Sequence, residues 1–354
     1  MQYDPKNMIF RRLGPSGLRV PVFSLGGWLT IGGTVKGDPV KDIIKTAFEH
    51  GINMFDTAEG YEAGKSEEEM GRVFKELGIE RSSLVISTKL FWGPGKGPNA
   101  GGLSRKHIIE GTQACLKRLQ MDYVDIIFAH RPDRSVPMEE TVRAFNYVID
   151  QGWAFYWATS EWTAREIEEA YHVADKLNLI PPIAEQCRHH MFSRARPEGE
   201  YAPIYAKYGI GTTVFSGLGG GLLTGKYKGG NVPAGSRFDT HKNFFKEVID
   251  GWNTEEGKKT FAKIDQLTEI AEKELNCKLS HLALAWVAKQ PSTSTVILGA
   301  SRPEQVVDNL KALDVLPKLT HDVLERIENV LENKPVPESM YGRPPLDTTF
   351  RSMY

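Results

Sequence analysis

Cysteine is scarce in this chain. Only Cys115, Cys187 and Cys277 occur, and their odd number and wide spacing offer neither a disulfide framework nor a metal-ligand pattern. That usage suits a reducing compartment. A charge of one sign is also lacking: 44 Lys and Arg stand against 45 Asp and Glu, a formal net charge of −1. No strongly basic surface therefore points to nucleic acid or an anionic membrane. No apolar run approaches the roughly 20 residues of a spanning helix, and Met1-Gln2-Tyr3-Asp4-Pro5-Lys6 holds no apolar core for a secretory signal. The expectation is a cytoplasmic protein without membrane insertion. What the chain does hold is 354 residues, 40% of them apolar, enough for one large α/β barrel or two smaller domains.

Short apolar runs begin near residues 22, 52, 84, 124, 154, 183, 211 and 295, most of them followed by an amphipathic helix. The spacing suits one βα unit each, and eight is the count of a (β/α)8 barrel. The runs are nearly continuous in apolar residues, as strands covered on both faces should be. Residues 9–20 read as a hairpin turning at Gly-Pro-Ser-Gly, a plug for the barrel bottom. Ser66 with Glu69 and Thr163 with Glu166 read as capping boxes, Gly78 as a helix stop, and Ser104 as the start of a helix that buries Cys115. The spacing breaks after the seventh run, where a long insertion marks a candidate lid. One domain is expected over 9–334, with an extended tail over 335–354.

The stretch Gly51 to Tyr61 organises the chain. A short apolar strand ends in Asp56, and Tyr61 follows five residues on; the next two runs end in Lys89 and His130. In a parallel barrel successive strand ends converge on one face, so these four groups meet. A phenol with a reference pKa of roughly 10 is a poor proton donor near neutral pH. A nearby ammonium favours its ionised form, an Asp keeps that ammonium charged, and a His orients a carbonyl oxygen. Each residue alone has an ordinary structural reading; the four at consecutive strand ends point to proton transfer.

This arrangement resembles the Asp, Tyr, Lys, His tetrad of the aldo-keto reductases. Phe55-Asp56-Thr57-Ala58 with Tyr61, Thr88-Lys89 and His130 carry the resemblance, which runs from about residue 9 to 335. It is closest to the potassium-channel β-subunit group and its microbial relatives, through Gly64-Lys65, residues 103–111, Arg131-Pro132-Asp133, residues 137–144 and Leu298-Gly299-Ala300-Ser301. The resemblance implies a (β/α)8 barrel, tightly bound NADPH, a homotetramer and, as one possible partner, a channel's cytoplasmic domain.

The other strand ends supply a candidate cofactor site. Gly27 permits close backbone approach and Trp28 walls a pocket. Ser160 and Gln186 can hold a carboxamide, and Phe215 can stack on a nicotinamide ring; a turn serine and a buried structural amide are the alternatives. The loop Ser216, Gly217, Leu218, Gly219, Gly220 offers free N–H groups to a pyrophosphate, with charge from Lys226 and Arg237. This loop lacks the spacing of a dinucleotide fingerprint, and Tyr227 stands where a phosphate-binding loop of the NTPase kind needs Ser or Thr. Gly299 and Ser301, with Gln305, Asp308 and Asn309 on the helix that Ser301 is expected to cap, make an anion site suited to a 2′-phosphate. Trp28, Tyr61, Phe91, Trp92 and His130 would line the side that takes a small carbonyl substrate.

Three departures from the channel-subunit pattern matter. His130 replaces Asn, Glu161 replaces Arg, and the glycines of 217–221 replace Pro and Ala. All three favour a working NADPH-dependent reductase with fast cofactor exchange, unless those glycines only fit a tighter turn. A regulatory channel subunit that senses redox state through NADP(H), and a barrel with no redox role, remain open. No metal is expected.

Overall fold

The structure is a computed structural model and describes residues 1–336 and 341. The tail expected over 335–354 lies almost wholly outside the described residues. Among those described, eight parallel strands close into a barrel: β3 (Phe23–Gly26), β4 (Met54–Asp56), β5 (Val85–Leu90), β6 (Val124–Ala129), β7 (Ala154–Ser160), β8 (Ala184–Arg188), β9 (Gly211–Phe215) and β10 (Thr293–Leu298), which pairs back with β3. A separate antiparallel hairpin, β1 (Phe10–Arg12) with β2 (Arg19–Pro21), precedes them. Leu13 and Val20 of this hairpin join Met54, Val85, Ile126, Phe128 and Ala158 in one apolar cluster. The eight apolar runs thus become the eight strands, and the hairpin supplies apolar side chains to the barrel interior.

Helices α1 (Asp38–Glu49), α2 (Lys65–Glu76), α3 (Arg105–Leu119), α4 (Met138–Asp150) and α5 (Ala164–Lys176) surround the first strands, followed by α6 (Ala202–Tyr208). The long insertion between β9 and β10 carries the short α7 (Arg237–Thr240) and α8 (Lys246–Gly251), then α9 (Glu255–Glu269) and α10 (Leu279–Lys289). After β10 come α11 (Pro303–Leu310), α12 (Ala312–Val315) and α13 (His321–Leu331).

The Thr163 capping box forms as its sequence implies, and Ser104 caps α3 through the backbone N–H of His107. Cys115 is buried. Two expected caps shift. Helix α2 begins one residue before Ser66, after Gly64 in a left-handed conformation. The Ser66 hydroxyl is bonded by Thr57 Oγ1 at 3.0 Å, while Glu69 accepts from Gly37 N and Arg72. At α11 the cap is Arg302, not Ser301; Pro303 occupies the first turn, and Gln305 Oε1 accepts from Ser301 N at 2.8 Å. In both places a side-chain partner outside the expected box takes the group that the box requires.

Candidate active site at the barrel mouth

Pairing of β3, β4, β5 and β6 in parallel register brings Asp56, Lys89 and His130 to neighbouring strand ends. The turn after β4 returns Tyr61 to the same place, its N–H bonded to the Ala58 carbonyl at 3.0 Å, and Glu62 and Ala63, both at positive φ, then lead into α2. Lys89 is fully buried, and its Nζ donates to Asp56 Oδ2 at 2.6 Å, Thr57 O at 2.7 Å and Tyr61 Oη at 3.2 Å. Asp56 Oδ1 accepts from Ser87 Oγ at 2.6 Å and Gln186 Nε2 at 3.2 Å. The ring of His130 lies 5.7 Å from that of Tyr61 and 4.7 Å from that of Trp92. Its Nδ1 is buried without a partner among the described residues.

The electrostatics correct one expectation. Burial pushes the Tyr61 phenol above its ordinary value, and the opposing pull of Lys89 does not overcome it. Burial works against the charged Lys89 too, yet Asp56 and Tyr61 outweigh it and hold the ammonium above its ordinary range. Burial, then the charges of Lys89 and Arg131, push His130 well below the usual imidazole value. The result is a protonated phenol held by a cation beside a neutral imidazole: a proton donor for an oxygen that gains negative charge.

The expected cofactor residues fall into two groups. Gln186 joins the tetrad through Asp56, and Ser160 Oγ accepts from Arg131 Nη1 at 3.3 Å. Trp28 and Arg237 meet, the guanidinium 5.6 Å from the indole, and a Cβ on Gly299 would sit 3.4 Å from Arg237 Nη2. Arg237 and Lys226 pair with no carboxylate among the described residues, so two uncompensated cations flank the glycine loop after β9. That donor set fits a polyphosphate. The free N–H groups expected of the loop are fewer, because Gly219 N is bonded to Ser216 O and Gly221 N to Leu218 O. Gly217 packs tightly, its would-be Cβ 3.2 Å from Val296 Cγ1 and 3.4 Å from Leu284 and Val287. These glycines fit a tight turn, which favours the second of the two readings of the loop. The space a side chain would fill at Gly27 is likewise taken by protein, Ser66 Oγ lying 2.4 Å from that Cβ position. Asp308 faces Lys278, Lys311 and His281, while Asn309 is buried.

Phe91 and Trp92 pack edge to face at 5.2 Å, and Phe244 of the insertion stands 6.0 Å from Trp28. Sequence reasoning does not single out Glu59, although it lies within the Asp56–Tyr61 stretch. Its buried carboxylate accepts from Phe91 N at 2.7 Å and bonds His107 Nε2 at 2.8 Å, tying the tyrosine turn to the end of β5. Glu161 accepts from Arg188 N at 2.8 Å and pairs with Arg196 at 3.0 Å, so its charge is compensated.

Comparison with known proteins adds the lineage. The sequence model of the aldo/keto reductase family matches residues 23–332. A protein of Arabidopsis thaliana named a probable voltage-gated potassium channel subunit beta is 50% identical over 336 residues, 94% of this chain and 99% of its own. One of the same name from Oryza sativa is 49% identical, over 93% and 98%. A putative voltage-gated potassium channel subunit beta of Schizosaccharomyces pombe is 51% identical, over 96% and 98%.

Proposed function

From a chain that belongs to the aldo/keto reductase family and holds its buried tetrad together, we infer an NADPH-dependent reduction of aldehydes or ketones to alcohols. The observation that carries this reading is the Lys89 ammonium, donating at once to Asp56, the Thr57 carbonyl and the Tyr61 hydroxyl. When bound, NADPH supplies the hydride that reduces the carbonyl carbon. Tyr61 gives its proton to the carbonyl oxygen. Lys89 stabilises the phenolate left behind, Asp56 keeps Lys89 charged and placed, and neutral His130 orients the oxygen. Ser160, Gln186 and Phe215 would hold the nicotinamide, Trp28 would wall its side of the mouth, and Lys226 and Arg237 would meet phosphate. A panel of aldehydes with NADPH, followed by loss of the reduced-nicotinamide absorbance, tests the reading; a panel that leaves NADPH unconsumed would count against it.

A second reading rests on the names of the relatives at about half identity over nearly the whole chain. In it the protein assembles as a homotetramer on a potassium channel's cytoplasmic domain, with bound NADP(H) reporting redox state. Retention of the protein by such a domain in a purified pull-down supports it, and release of the channel domain by neither oxidised nor reduced cofactor removes the sensing role.

A further inference from the structure

Several arginines elsewhere in the fold are committed to carboxylates. Arg72, Arg81, Arg118, Arg194 and Arg196 each lie within 3.3 Å of a carboxylate. Arg131, which follows His130 at the end of β6, does not. Its Nη1 donates to the His130 carbonyl at 2.5 Å and to Ser160 Oγ at 3.3 Å, and its guanidinium carbon lies 5.1 Å from the centre of the Trp92 ring. These contacts fix the plane of the group across the ends of β5, β6 and β7. They also use only one nitrogen. The Nε and Nη2 edge has no partner among the described residues, and Glu161, the acid whose charge acts most strongly on Arg131, is already taken by Arg196 and the Arg188 N–H. That edge presents two parallel N–H donors, the geometry that matches a carboxylate bidentately. Arg188, at the end of β8, is exposed and pairs with no carboxylate among the described residues, which leaves the rim positive on the same side.

We propose that Arg131 is a specificity-determining residue that selects aldehydes bearing a carboxylate. The inference rests on the carbonyl-reductase reading and names its substrate class. The aldehyde meets Tyr61 and His130, Trp92 packs on the connecting carbons, and the far carboxylate docks on the open edge of Arg131.

Two substrates of one shape test it: succinic semialdehyde, and 4-methylpentanal, which carries an isopropyl group in place of the carboxylate. The readout is the ratio of their kcat/KM values with NADPH, which cancels any loss of folded enzyme. The wild-type ratio should exceed about ten, the worth of one charge-assisted bidentate contact. Arg131→Gln should lower it about tenfold, and Arg131→Lys should recover part of it. A wild-type ratio near one, or a ratio that Arg131→Gln leaves in place, overturns the proposal. So does an Arg131→Gln variant that loses NADPH affinity with its ratio intact, since the open edge would then serve the cofactor. Calorimetric titration with 4-hydroxybutanoate separates this from the reductase reading. If neither aldehyde reacts, that reading fails, while binding of 4-hydroxybutanoate that Arg131→Gln abolishes still supports the carboxylate site; absence of binding overturns it.

Discussion

Lys89 places all three of its ammonium protons inside the barrel, on Asp56, the Thr57 carbonyl and Tyr61. Removing one member of a buried ion pair leaves the other charge uncompensated, at about 3–5 kcal/mol. Lys89→Met should therefore lose stability on that scale in urea denaturation, together with reductase activity. Adding Asp56→Asn should recover most of the stability and none of the activity; an active double variant would contradict the role given to Lys89. Burial keeps Tyr61 protonated past its ordinary value, so single-turnover reduction should stay level from neutral pH to at least about pH 10. A decline beginning near neutrality would show that another group gives the proton. Away from the tetrad, His190 is held neutral by burial and then by Arg188 and His189, down to about 3. Its folded value lies below the unfolded one, so its contribution to stability is complete above about pH 6.5 and is lost as pH falls toward 3. His190→Gln should flatten that part of the stability curve in denaturant melts.

At the scale of elements, the strands are legible because burial on both faces leaves an apolar run, and their ends are legible because the run stops at a polar residue. Tertiary contacts are not, since they depend on partners distant in sequence. The Thr163 box forms because Arg134 takes only Oε1 of Glu166 and leaves Oε2 to the box; the same spacing at Ser66 fails because Thr57 reaches the hydroxyl and Gly37 N and Arg72 take Glu69. Gly27 shows the same limit. Its missing side chain reads as room for a ligand, whereas α2 fills that room with Ser66 and Met70. Gly27→Ala should cost about 1–3 kcal/mol by overpacking, and Ser66→Ala, which removes the closest atom, should return part of it in a double-mutant cycle. Additive losses would mean that the two sites are not in contact. Arg131 escapes sequence reasoning for a related reason: an arginine that follows His130 carries no sign that its neighbours leave one edge open.

For the whole molecule, a closed barrel brings four groups from residues 56 to 130 to one mouth, and the insertion after β9 places Arg237 over Trp28 beside Gly299. Two uncompensated cations near the glycine loop favour a cofactor with more phosphate. NADPH should bind on the order of a hundredfold more tightly than NADH, from charge-assisted contacts of about 1.5–3 kcal/mol each; equal dissociation constants in fluorescence titrations would remove Lys226 and Arg237 from the phosphate site. The tight packing of Gly217 also implies a well-held loop, so cofactor that survives gel filtration would agree with the structure. The most direct measurement is single-turnover reduction of an aldehyde by NADPH, wild type against Tyr61→Phe, with NADPH affinity measured on both. The predicted result is unchanged affinity and a rate lower by about a hundredfold or more, the contribution of a positioned general acid. A Tyr61→Phe protein that reduces the aldehyde as fast as wild type would contradict the account.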